Sequence, residues 1–167
     1  MNHKFWNAGG GKPEGVTHAV KNLEAVKIQA GTPAVFAFNG TDDGLGVILP
    51  SSTTAANITQ LTAGIVVKDI EAGKLGEVQV YGFFRKALVA RGTRAATTAA
   101  WASMPAIALG ATLGVNSALN GLDPAGVSFA DQNVVLGEAI ASATTLASTV
   151  GSGTVYYTAA KTFLRFM

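Results

Sequence analysis

Few side chains in this sequence have the types and spacing that catalysis or metal binding requires. The two histidines, His3 and His18, have no second histidine, cysteine or carboxylate at a ligand spacing on the same predicted element, which argues against a transition-metal site. Cysteine is absent, which excludes disulfides, thiolate metal sites and a cysteine nucleophile. A catalytic serine would have to recruit one of these histidines, and no G-x-S-x-G elbow occurs. We therefore predict no cofactor and no enzymatic activity.

Two carboxylate pairs and one glycine-rich loop also suggest chemistry at first sight. Asp42 and Asp43 lack the further oxygen ligands and the closing glutamate of a calcium loop, so an Asx-type turn is the better interpretation. Asp69 and Glu71 stand at the end of a predicted strand, with no sign of the cleft that acid–base catalysis needs. The run at 9–12, GGGK, has no preceding strand and is followed by proline, so it fails as a phosphate loop.

The composition favours one domain that lives in contact with other proteins. At 167 residues the chain is long enough for a single core. Only 13% of its residues are charged, against about 25% in ordinary soluble domains, so few charges keep neighbouring molecules apart. Lys and Arg concentrate only at 85–94. Nucleic-acid binding needs a denser basic face than this, so we predict that the protein does not bind nucleic acid.

The N-terminal residues, MNHKFWNAGGGKPEG, have the composition of a flexible arm. They lack the apolar core of a secretory signal, so we expect the protein to stay in the cytoplasm where it is made. We assign 1–20 to the arm and 21–167 to one β-domain. Phe5 and Trp6 would gain nothing in water, so they either fold back on the domain or dock on a partner.

Short apolar runs separated by turn residues predict an all-β fold with about nine strands, either a β-sandwich of jelly-roll type or a partly closed β-barrel. The charge-free stretch 95–122 contains Pro105, Gly110 and Gly114, which suits buried short strands and turns better than a membrane span. The one helix candidate is 95–103. Other predicted pieces are a strand at 26–29, a loop at 51–60, a hairpin at 64–85, a turn at 120–124, and strands at 126–129, 154–158 and 161–167.

The stretch at 76–85, GEVQVYGFFR, reads as a strand with aromatic residues on both faces. Alternation places Val78, Val80, Gly82 and Phe84 inside, and Tyr81, Phe83 and Arg85 outside with Glu77 and Gln79. Lys86 falls in phase with the inner set, so the strand must end, bulge or change face there. The outer aromatics are covered either by a loop of the same chain, such as 95–122, or by a partner.

Two passages resemble the head decoration, or cement, proteins of tailed bacteriophages. In LTAGIVVKDIEAGKLGEVQVYGFFRKALV, at 61–89, an apolar strand beginning G-I is followed by an A-G turn and a V-x-V-x-G strand. In 106–145 the pattern G-x-x-L-x-V leads through a glycine-rich turn to N-V-V-L-G-x-A, as in the later half of those proteins.

This resemblance implies a non-enzymatic virion protein. It would bind the outer capsid surface, bridge neighbouring major capsid proteins, and form trimers or dimers after assembly in the host cytoplasm. From the residues themselves we predict a protein interface formed by Phe5, Trp6, Tyr81, Phe83 and Arg85. Two alternatives stay open: another structural virion part such as a tail, spike or minor head protein, or a carbohydrate-binding β-sandwich.

Overall fold

A computed structural model describes residues 15–38, 42, 44–50, 62–93, 106–116, 120–123, 134–141 and 155–166. The prediction of an all-β fold is confirmed, because the described residues form strands, turns and bridges. The predicted elements at 51–60, 95–103 and 126–129 lie outside the described residues. The strands are β1 (Val16–Asn22), β2 (Pro33–Phe36), β3 (Gly46–Ile48), β4 (Thr62–Val66), β5 (Leu75–Thr93), β6 (Thr112–Asn116), β7 (Gly121–Asp123), β8 (Val134–Leu136) and β9 (Val155–Arg165).

These strands form one mixed sheet in the order β1-β3-β2-β4-β5-β7-β6-β8-β9. The 19-residue strand β5 also pairs with β1 through its first part and with β9 through the rest. The pairings therefore close two circuits of strands that share β5, and the sheet is not one clean barrel. Strand β1 begins at Val16, so it takes in the last five residues of the range assigned to the arm, while residues 1–14 are not described.

The two circuits repeat the same strand order and hydrogen-bond register. We call residues 16–81 the first unit and residues 82–166 the second unit. In each unit the first strand pairs in parallel with the third and antiparallel to the last. The matched pairs are Pro33–Ile65 with Thr112–Val135, Ala34–Gly64 with Leu113–Val134, Phe36–Val47 with Val115–Leu122, and Val66–Val78 with Leu136–Thr162.

Each unit also carries the same isolated bridge between two isoleucines, whose N–H groups donate to each other's carbonyl oxygens at 2.8 to 3.0 Å. The bridges are Ile28–Ile70 and Ile107–Ile140. Three residues after the first isoleucine, Gly31 and Gly110 turn the chain with φ of 86° and 81°. Only glycine enters that left-handed region without strain. This shared geometry indicates an internal duplication.

Each unit has its own apolar core, and the outer face of the first unit packs on the core of the second. The first-unit core contains Val20, Ile28, Val47, Val66, Ile70, Val78 and Val80, among others. The second core takes in Val35 and Ile65 from the first unit, with Ile48 packed against it. The N–H of Leu88 donates to the carbonyl of Gly31 at 2.9 Å. Burial of these apolar side chains joins the units into one body.

Strand β5 follows the alternation expected of its sequence. Val78, Val80 and Phe84 are buried, as predicted for its inner face. Lys86 is exposed, and the register of β5 on β9 shifts between Phe84 and Ala87. The prediction that the strand ends, bulges or changes face at Lys86 is confirmed: a bulge keeps the lysine in water and returns Ala87 to the core.

Three predicted elements differ in the structure. The two C-terminal strands are one continuous strand, β9, because the small residues between them fit the ladder on β5. Residues 121–123 of the predicted turn form β7 instead. The strand follows directly on Asn120, whose φ of 47° is left-handed, a conformation that asparagine tolerates. The segment 26–29 contributes the bridge at Ile28 and no longer strand.

Replacing Thr162 by valine is expected to raise the free energy of unfolding by about 1 kcal/mol or more. Thr162 is fully buried, and its hydroxyl has no hydrogen-bond partner among the described residues. An unpaired buried hydroxyl costs about 1–3 kcal/mol, and the equivalent residue of the first unit is Val78. Urea unfolding would measure the gain, with Val78→Thr as the converse control. A loss of stability in Thr162→Val would show that the hydroxyl is bonded.

Candidate protein interface

Three aromatic rings pack together on the outer face of the ladder between β5 and β9. Phe83 lies directly opposite Phe163 in the antiparallel register. The ring of Phe163 contacts Phe83 edge-on, with centroids 5.1 Å apart, and Tyr81 in the same way at 5.3 Å. We call Tyr81, Phe83 and Phe163 the aromatic surface.

The aromatic surface keeps much of its apolar area in water. Phe83 is 55% exposed, and Tyr81 and Phe163 are half-buried. The residue that partly covers both predicted aromatics is therefore Phe163 of β9 rather than a described part of the loop region 95–122. An exposed ring held in this way has already lost side-chain freedom, so docking would cost it little further entropy.

The side chain of Gln79 supports the backbone that presents these rings. Its amide donates to the carbonyl oxygens of Tyr81 at 3.1 Å and of Phe83 at 3.0 Å. Between these two residues, Gly82 has a φ of 94°, a conformation for which glycine is suited. Gln79 and Gly82 thus fix a local distortion of β5 at the centre of the surface.

Positive charges border the aromatic surface. Arg165 lies opposite Tyr81 in the register, and Arg85 follows Phe83 on the same face of β5 by alternation. Both arginines are exposed, as is Lys86 in the bulge. Among the described residues, no ion pair involves these three cations. Lys161, by contrast, lies 3.7 Å from the carboxylate of Glu138.

The predicted interface residues Tyr81, Phe83 and Arg85 thus lie on one face of β5, whereas Phe5 and Trp6 lie outside the described residues. Sequence reasoning missed Phe163 and Arg165. Alternation of Lys161, Phe163 and Arg165 would have placed all three on one face of β9, but strand order decides that this face adjoins the one carrying Phe83.

Two carboxylates considered above as candidates for chemistry, Asp69 and Asp42, have structural partners. Asp69 pairs with Lys27 at 2.8 Å and accepts the N–H of Ala30 at 2.9 Å. These contacts, the bond to Lys27 first, lower the pKa of Asp69, which is opposite to what a general acid requires. Asp42 lies 3.2 Å from the ammonium group of Lys21. In the described ranges, no cluster of three or more histidine, cysteine or acidic residues is placed to hold a metal ion.

One further titratable group is shifted: burial raises the pKa of the Tyr157 hydroxyl.

Within the part of the chain that the structure describes, no helix has the length and apolar character needed to cross a bilayer. The fold and surface together define an all-β protein of two duplicated units with an exposed aromatic and basic face. No protein-family model matches the chain, and no curated protein matches it in sequence.

Proposed function

We propose that this protein is a capsid decoration protein, which binds the outer surface of a phage head and bridges neighbouring major capsid proteins. The observation that carries the proposal is the aromatic surface, an exposed set of rings presented by a paired ladder rather than by a loop. Exposed aromatic side chains beside arginine are the residues that most often dominate the binding energy of protein interfaces.

The passages that resemble decoration proteins support the same proposal. The first passage, 61–89, spans β4 and most of β5, including Tyr81 and Phe83. The second, 106–145, spans β6, β7 and β8, and β8 pairs with β9 beside Phe163. The resembling segments therefore build the scaffold of the aromatic surface.

Oligomerisation and a second contact complete the proposal. A trimer or dimer would place two or three aromatic surfaces on adjacent capsid subunits, and multivalent binding strengthens attachment without new contacts. Phe5 and Trp6 of the arm would clamp a neighbouring subunit, where each aromatic side chain could bury about 150–250 Å².

Carbohydrate binding is the alternative that the exposed rings also fit. Sugar sites need polar groups that converge on the ligand beside the ring. The side-chain amide of Gln79, which supports these rings, is already engaged with two backbone carbonyls. The geometry therefore favours a protein partner over a sugar. Binding of the isolated protein to sugars on a glycan array would support carbohydrate binding instead of the decoration function.

Fractionation of phage particles tests the proposal. We expect the protein in purified heads at a fixed ratio to the major capsid protein, and we expect heads without it to break at lower temperature. Labelling of intact particles would distinguish the head lattice from the tail or a spike. Recovery of the protein only outside virions would refute a structural virion role.

A further inference from the structure

We infer that the capsid segment received by the aromatic surface is acidic and carries an apolar side chain that meets the rings. This inference rests on the proposed function and names the chemistry of the partner at that site. It follows from the position of the cations, from the absence of acidic partners for three of them among the described residues, and from a comparison of the two units.

Arg85 and Arg165 stand on opposite sides of the rings. Residues two apart on one face of a strand are about 6.6–6.8 Å apart. Arg85 therefore lies one such step beyond Phe83 on β5. Arg165 lies one step beyond Phe163 on β9, and because the two strands are antiparallel this step runs in the opposite direction along the ladder. A segment lying across the rings would pass within reach of both guanidinium groups. Each guanidinium can bind a carboxylate through two parallel hydrogen bonds.

Three cations of this face have no acidic partner among the described residues. Lys21, Lys27 and Lys161 each pair with a carboxylate. Arg85, Lys86 and Arg165 form no such pair among the described residues. Rings that exclude water beside them would strengthen an ion pair with a docked carboxylate, because the local dielectric falls.

The duplication shows that this charge is not a requirement of the fold. In the matched register, β9 positions Lys161, Phe163 and Arg165 correspond to residues of β5 in the first unit. Those residues are Glu77, Gln79 and Tyr81. Lys161 and Phe163 thus stand where the first unit has Glu77 and Gln79, and Arg165 stands where it has Tyr81, which is itself a ring of the aromatic surface. The matched backbone therefore does not require basic residues, and the positive charge is a feature of the β9 side of this face.

A charge-reversal experiment tests the inference. The variant Arg85→Glu with Arg165→Glu is compared with Lys68→Glu with Lys74→Glu, which changes the net charge equally at two exposed lysines of the first unit. Binding to heads lacking the protein is measured over a salt series. We expect the arginine reversal to weaken binding by about tenfold or more, since like charges at an interface are strongly unfavourable. The lysine control should stay within about twofold of the parent protein, as remote surface charges contribute little.

Zero-length carbodiimide cross-linking identifies the partner group directly. The Lys86 amine should couple to an aspartate or glutamate of the major capsid protein on intact heads. Coupling of Lys86 to a second copy of this chain would overturn the inference, and so would tighter binding to duplex DNA than to heads. If the parent protein binds heads and the arginine reversal binds equally well, the acidic partner is wrong while the decoration function stands. If the parent protein does not bind heads, both fail.

Discussion

Replacing Phe83 by serine is expected to weaken binding to heads lacking the protein by about thirtyfold or more, because central aromatic anchors contribute at least about 2 kcal/mol. Phe83 is the most exposed ring of the aromatic surface, and its contact with Phe163 keeps it in place for docking. The folded protein should lose only about 1 kcal/mol of stability, the usual value of one edge-to-face pair. Titration of heads with labelled protein gives the affinity, and urea unfolding gives the stability.

Phe38 provides the matched control for this substitution. It is also an exposed phenylalanine, with 66% of its area in water, and it lies after β2 in the first unit, outside the aromatic surface. Phe38→Ser should leave the occupancy of heads unchanged within about twofold. Equal losses in the two variants would mean that binding follows general surface apolarity rather than this site. A loss of several kcal/mol in the stability of Phe83→Ser would instead make Phe83 a core residue.

Replacing Gly31 by alanine is expected to lower the free energy of unfolding by at least about 3 kcal/mol, because it combines left-handed strain with a backbone clash. A Cβ atom at Gly31 would lie 2.3 Å from the carbonyl oxygen of Lys86 and 3.1 Å from Cγ of Leu88. Both atoms belong to the part of β5 that starts the second unit. The added methyl group would therefore force the two units apart at their junction.

Gly110 allows the strain and the clash to be separated. It occupies the equivalent turn of the second unit with nearly the same φ, but a Cβ atom there would meet nothing within 4 Å. Gly110→Ala should therefore cost only about 1–2 kcal/mol, the usual price of a left-handed alanine. Chemical unfolding of both variants measures the difference. Equal losses of stability would show that the backbone around Gly31 shifts to make room for the methyl group with no further loss of stability. That result would contradict the tight packing between the units.

Much of the fold follows from local patterns in the sequence. Alternation along β5 identified Val78, Val80 and Phe84 as buried, and the same rule located the irregularity at Lys86. These predictions succeed because strand alternation is a property of the backbone that burial enforces residue by residue.

The duplication could not be predicted in the same way. Its sequence trace is slight: Ile28 and Gly31 match Ile107 and Gly110, and each unit ends its fourth strand four residues before a bridging isoleucine. Of the other equivalent positions, Gly46 and Gly121 are identical, most share only apolar character, and some do not share even that, since Val78 is matched by Thr162. Register depends on pairing between residues far apart in the chain, which alternation does not encode.

The aromatic surface was found only in part for the same reason. Tyr81 and Phe83 are close in sequence, so one pattern identified both. Phe163 and Arg165 lie 80 residues further along the chain from Phe83 and Arg85, and only the pairing of β9 with β5 brings them together. The site therefore combines residues of β5 that are close in sequence with residues of β9 that only strand pairing brings beside them.

Electron cryo-microscopy of heads with and without the protein is the most direct test of the decoration function. We expect added density on the outer capsid surface, in contact with the major capsid protein, with the ladder of β5 and β9 facing the shell. Phe83 and Phe163 should lie within the contact, between Arg85 and Arg165. Heads that look the same with and without the protein would contradict the decoration function, and density that turns this ladder toward solvent would contradict the binding site.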